Sequence, residues 1–218
     1  MINDDKLQYA YDILHGKPWK DRADLIDTLT YLANFHESLC RDYYDEDKAI
    51  KWAEDIFEFF IVEMGKSKDQ KNDLLNYSNL DEDKRKVVIL SIYEILKEYA
   101  YPDFEDLEII FRNDDTRISA RADRGKTITF FNVETNPQLK DYKRLINIAV
   151  HEFVHLMQST PRTTLPKNVV DMAQKYYCSF AAFDKFDVKD LTSKAWRNNV
   201  IEKEAITIGE YIEDNLNI

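Results

Sequence analysis

Glycine, proline and cysteine are all scarce in this chain, and each shortage excludes something. Four glycines and five prolines in 218 residues are too few turn formers for a many-stranded β fold and favour long helices. The two cysteines, Cys40 and Cys178, stand in no C-x-x-C or other ligand pattern. Neither a disulfide framework nor a cysteine metal site is read from them, and a free-thiol cytoplasmic protein is expected. No apolar run reaches the roughly 18 residues of a membrane-spanning helix, so no membrane partner is expected. The first residues, Met1-Ile2-Asn3-Asp4-Asp5-Lys6, are charged where a signal peptide would be apolar. Excess positive charge is also lacking. The net charge is −11, with 14 Lys+Arg against 22 Asp+Glu in residues 1–100 and 16 against 19 in the remainder. Such a surface repels phosphate backbones, which excludes nucleic acid as an expected partner. Composition carries no signal of oligomeric state.

What is present is 44% apolar and 13% aromatic, enough for a globular core. Apolar residues recur at three- and four-residue steps in four early segments. They predict helices over 4–15, 21–44, 45–65 and 81–99, with a loop or short helical turn over 66–80. His36 falls on the second helix with no partner ligand at metal spacing and is read as structural. The character changes near residue 104. Three β-rich segments follow, 107–112, 117–123 and 126–133, separated by turn residues. Arg117, Arg121, Arg124 and Lys126 cluster there and are read as a charged outer face of the sheet. Helices are then predicted over 139–158, 168–183 and 190–216. The fold class expected is α+β, mostly α: an N-terminal helical extension over 1–104, then a unit over 105–218 with a small antiparallel sheet, a motif helix and a C-terminal helix bearing glutamates. The two parts can equally fold as one compact unit.

The chemistry concentrates in Asn147-Ile148-Ala149-Val150-His151-Glu152-Phe153-Val154-His155-Leu156-Met157-Gln158. On a helix, residues four apart lie above one another, so His151 and His155 can present two imidazole nitrogens to one ion. Glu152 stands beside that face, where a general base belongs. Apolar residues surround the motif almost all the way round, which marks a buried helix. Buried histidines and a carboxylate with nothing to satisfy them would cost roughly 1–3 kcal/mol each. Asn147 and Gln158 lie on the same polar stripe and are expected to hydrogen-bond and orient the ligands. A catalytic zinc needs three protein ligands. With no third histidine downstream, a carboxylate of the last helix must serve, and Glu202 and Glu204 are the two candidates. Glu202 shares a side with Ala205 and Gly209, whereas Glu204 lies nearer the middle of the apolar face.

His-Glu-x-x-His, a glutamine three residues on, a small sheet before it and Glu-x-x-Ala on a later helix resemble the gluzincin zinc metallopeptidases, in particular their compact minigluzincin branch. The resemblance covers roughly residues 105–215. It implies a zincin-like unit binding Zn2+ through His151, His155 and the glutamate that opens Glu-x-x-Ala, here Glu202, with Glu152 as catalytic base and a peptide or protein as substrate. It also implies an edge strand that pairs with extended substrate, a part assigned to 126–133. Tyr211, Tyr176, Tyr177 and Arg197 are candidates to stabilise the oxyanion. After Ala205 the family often has Asp or Asn; this chain has Ile206. The function expected is peptide-bond hydrolysis by a metal-activated water. The alternative is a protein-interaction module on a zincin-like fold with little or no peptidase activity, in which the acidic helices are the working part.

Overall fold

Helix ends in this chain are set by short polar side chains that satisfy first-turn amides. Asp21 caps Asp24 at 2.9 Å, Asp81 caps Lys84 at 2.9 Å, and Asp141 caps both Lys143 and Arg144 at 3.0 Å. The computed structural model describes residues 4–114, 118–123, 126–177 and 194–217. Its helices are α1 (Asp4–Leu14), α2 (Arg22–Tyr43), α3 (Glu46–Gly65), α4 (Lys68–Leu75), α5 (Glu82–Tyr99), α6 (Tyr142–Met157), α7 (Lys167–Lys175) and α8 (Val200–Asn215). The strands are β1 (Glu108–Arg112), β2 (Ala120–Asp123) and β3 (Thr127–Phe131). The class is therefore α+β and mostly helical, as the periodicity predicts. Among the described residues no helix is long and apolar enough to cross a membrane.

The described residues fall into two compact units. The first comprises residues 1–45 and 165–204. Its core joins Leu7, Ala10 and Ile13 of α1 and Leu25, Leu29, Leu32 and Phe35 of α2 with Val169, Val170 and Ala173 of α7. His36 is fully buried in this unit, and its Nε2–H donates to the Tyr176 carbonyl at 3.1 Å. Burial disfavours the imidazolium and lowers the His36 pKa to about 4. The sign follows directly: the unfolded chain takes up a proton near pH 6.5 that the folded chain refuses. Stability is thus full above pH 6.5 and falls as pH drops from there towards 4, by about 3 kcal/mol in all. Urea unfolding of wild type and His36→Gln between pH 7 and pH 4 checks this, because the variant is expected to lose that part of the slope.

The second unit comprises residues 46–164 and 205–218. Helices α3 and α5 pack with the sheet, with α6 and with Ala205, Ile208 and Ile212 of α8 around one core. Residue 104, where a boundary is expected from the sequence, lies inside this unit. The buried stripes of α3 (Trp52, Ile56, Phe60) and α5 (Val88, Ile92, Leu96) have no separate bundle to fill; they cover the same apolar surface as Ile128, Phe130 and Phe153. The 66–80 segment forms α4, capped by Ser67, followed by a 3-10 turn over Tyr77–Asn79.

The sheet is also corrected. Its order is β1-β3-β2, with β1 parallel and β2 antiparallel to β3, so it is mixed rather than antiparallel. The segment assigned to substrate pairing, β3, is the central strand, and both its edges are already bonded. β2 is the edge strand that packs on α6. Arg121 pairs with Asp123 at 2.9 Å and Lys126 with Asp106 at 2.6 Å, in keeping with a charged outer face. Arg117 and Arg124 lie outside the described residues, as do Cys178 and the predicted helical stretches 178–183 and 190–193.

Candidate metal centre

Helix α6 presents the motif because its apolar residues surround it. Ile146, Ala149, Val150, Phe153, Val154 and Met157 are fully buried, while His151, Glu152 and His155 are half-buried. The helix is fixed from below by Tyr93 of α5, whose hydroxyl donates to the Ala149 carbonyl at 3.0 Å. Burial, with the charge of Glu152 adding to it, keeps that phenol protonated well above its usual pKa.

The two imidazoles meet edge to face, with ring centroids 4.7 Å apart and Nε2 of His151 3.1 Å from Nε2 of His155. Two nitrogens bound to one tetrahedral zinc at roughly 2.0–2.1 Å are about 3.3 Å apart, so the pair is already close to ligand spacing. Gln158 sets the tautomer. Its Oε1 lies 3.0 Å from Nδ1 of His155, so Nδ1–H donates there and the lone pair is on Nε2, the nitrogen that faces His151.

The carboxylate comes from α8. Its start at Val200 is set by Asn199, whose Oδ1 accepts the Ile201 N–H at 3.1 Å; a short helical stretch over 194–197 precedes it. The helix runs against α6 at Gly209, where an added Cβ would stand 2.9 Å from Asn147 Oδ1 and 3.1 Å from the Asn147 carbonyl. Asn147 Nδ2 donates to Glu213 Oε2 at 2.5 Å, and Arg144 pairs with the same oxygen at 3.2 Å. Going towards the N-terminus of α6 thus means going towards the C-terminus of α8, so the two helices are antiparallel there. From the Asn147–Gly209 contact, His151 and His155 lie about 6 and 12 Å further along α6, and Glu202, seven residues back along α8, lies about 10 Å along it. At 100° per residue Glu202 also shares the face of Gly209. Glu202 therefore falls level with the two histidines.

One ligand atom each from His151, His155 and Glu202 lies within 4.8 Å of the other two, and Glu202 is 2% exposed. Two imidazole nitrogens and one carboxylate oxygen form a donor set suited to a divalent transition metal. Glu204 is fully buried but does not belong to this group among the described residues. Asn147 is placed at the α6–α8 contact. Tyr176 is buried in the first unit's core, edge-on to Phe35, and the Tyr211 hydroxyl reaches Glu54 at 3.4 Å.

One group at the site has no side-chain signature. The backbone N–H of Ala122 in β2 donates to Glu152 Oε2 at 2.7 Å.

The closeness of α8 gives a test. Alanine in place of glycine ordinarily gains about 1 kcal/mol within a helix, but overpacking against a buried neighbour costs about 1–3 kcal/mol. The Asn147 side chain is tied to Glu213 and its carbonyl is part of α6, so overpacking wins. Gly209→Ala is expected to be destabilised in thermal unfolding, with Gly209→Val more so.

Compared with known proteins, the chain matches no family model, no curated protein and no solved structure.

Proposed function

We propose that this chain is a zinc metallopeptidase of the gluzincin type, acting on peptide or protein substrates. The observation that carries the reading is the convergence of His151, His155 and Glu202 beside a half-buried carboxylate, Glu152, that is not one of the three. Zinc in such a site supplies a Lewis acid that polarises a substrate carbonyl and lowers the pKa of a water towards about 7. Glu152 Oε2 is held by the Ala122 amide, so Oε1 is the atom that takes the proton of the attacking water and returns it to the leaving amine. Gln158 keeps His155 Nε2 deprotonated for its ligand role. An extended substrate belongs along β2, the edge strand beside α6, by strand addition. Cytoplasmic location is part of the same proposal and rests on Cys40, a free thiol.

Metal removal tests the reading. Dialysis against a strong chelator is expected to abolish cleavage of an unfolded protein substrate, and one equivalent of Zn2+ is expected to restore it. A metal-loaded chain that cleaves nothing across a broad peptide library would make the interaction module the better account.

A further inference from the structure

We propose that the main-chain N–H of Ala122, on the outer edge of β2, is the positioning group for the Glu152 carboxylate. The inference rests on the peptidase reading above and adds a part to it.

The geometry begins with the β2–β3 register, in which Ala120 stands opposite Phe130, Arg121 opposite Thr129 and Ala122 opposite Ile128. The Phe131 N–H donates to the Ser119 carbonyl at 3.0 Å, which makes 119 and 131 a directly bonded pair. Bonded and non-bonded pairs alternate along an antiparallel ladder. Arg121 and Asp123 therefore turn their main-chain groups towards β3, and Ala120 and Ala122 turn theirs away from it. Among the described residues no strand lies on that side of β2. An outward N–H of an edge strand is ordinarily left to water or to an incoming strand. Here the Ala122 N–H is spent on Glu152 Oε2, at a distance of 2.7 Å that is short for N–H···O and in keeping with a charged acceptor.

A glutamate on a helix has three rotatable bonds, and a general base must present one oxygen in one direction. The anchor that achieves this is rigid main chain, in a strand bonded to β3 along its other edge and packed on α6. Alanine at 122 adds only a methyl group where strand and helix meet.

The contact is tested in the metal-free protein by amide hydrogen exchange. The Ala122 amide is expected to exchange slowly in wild type. Glu152→Ala, which removes the acceptor, is expected to speed it by about tenfold or more, and Glu152→Gln, which keeps a carbonyl oxygen, is expected to preserve most of the protection. Unchanged Ala122 exchange in Glu152→Ala would overturn the proposal. The catalytic consequence is tested with Ala122→Pro, which deletes the outward N–H and leaves the β2–β3 bonds in place. Its kcat is expected to fall about 10–100-fold, with KM and zinc stoichiometry held. An unchanged kcat would overturn the positioning role. Should Ala122→Pro fail to fold, the exchange measurement decides alone. The two levels fail differently: absent hydrolysis with the exchange effect intact counts against the peptidase reading, whereas hydrolysis by wild type with no exchange effect counts against Ala122.

Discussion

His151→Ala is expected to leave the chain without its metal. Elemental analysis after dialysis should give about one zinc per wild-type chain and less than about a tenth of that for the variant, since two protein ligands do not make a stable catalytic zinc site. The expected loss exceeds the roughly 10–100-fold in affinity that follows from removing a group that merely orients a ligand. The reason lies in the geometry. The two Nε2 atoms are 3.1 Å apart on one helix and the third candidate ligand, Glu202, stands on a second, so a bound ion would draw its donors from both. Thermal unfolding should follow the metal content. Added zinc at about a thousand times its Kd stabilises a folded chain by about 4 kcal/mol, so wild type should show a zinc-dependent rise in Tm and His151→Ala none. Equal, substoichiometric zinc in the two proteins would sink the metal assignment.

Glu152→Gln separates binding from chemistry. The glutamine keeps the shape and one carbonyl oxygen for the Ala122 N–H, so folding and zinc content should hold. It has no carboxylate with which to take a proton, and the hydrolytic rate is expected to fall by about 10²–10⁴-fold. Measuring kcat and zinc on the same preparation decides the matter. A variant that keeps its zinc and still cleaves at the wild-type rate removes Glu152 from the mechanism.

The legible parts of this protein are those that depend on local periodicity and capping. Helix α2 starts within a residue of its predicted beginning because Asp21 caps it, and α5 does so because Asp81 caps it. The motif on α6 is legible for the same reason, since four-residue spacing is a property of a single helix. Strand existence was equally local, but strand order was not. Three β-rich segments in succession suggest a meander, and nothing in 107–133 announces that β1 joins β3 in parallel and leaves β2 at the edge. That order depends on which faces meet the helices. The division of the chain was hidden likewise, because the apolar stripes of α3 and α5 do not state which surface they will cover.

The sequence by itself determined the helices, the α+β class, the pairing of His151 with His155 on one helix face and the short list of carboxylates that can complete the site. Periodicity, charge and capping act over a few residues, and those residues are written side by side. Only the tertiary structure groups Glu202, and not Glu204, with His151 and His155 among the described residues, and only it placed a backbone amide on the Glu152 carboxylate. Both depend on the register between elements distant in the chain. Every residue other than proline carries a backbone N–H, so a site built from one leaves no mark in the order of side chains.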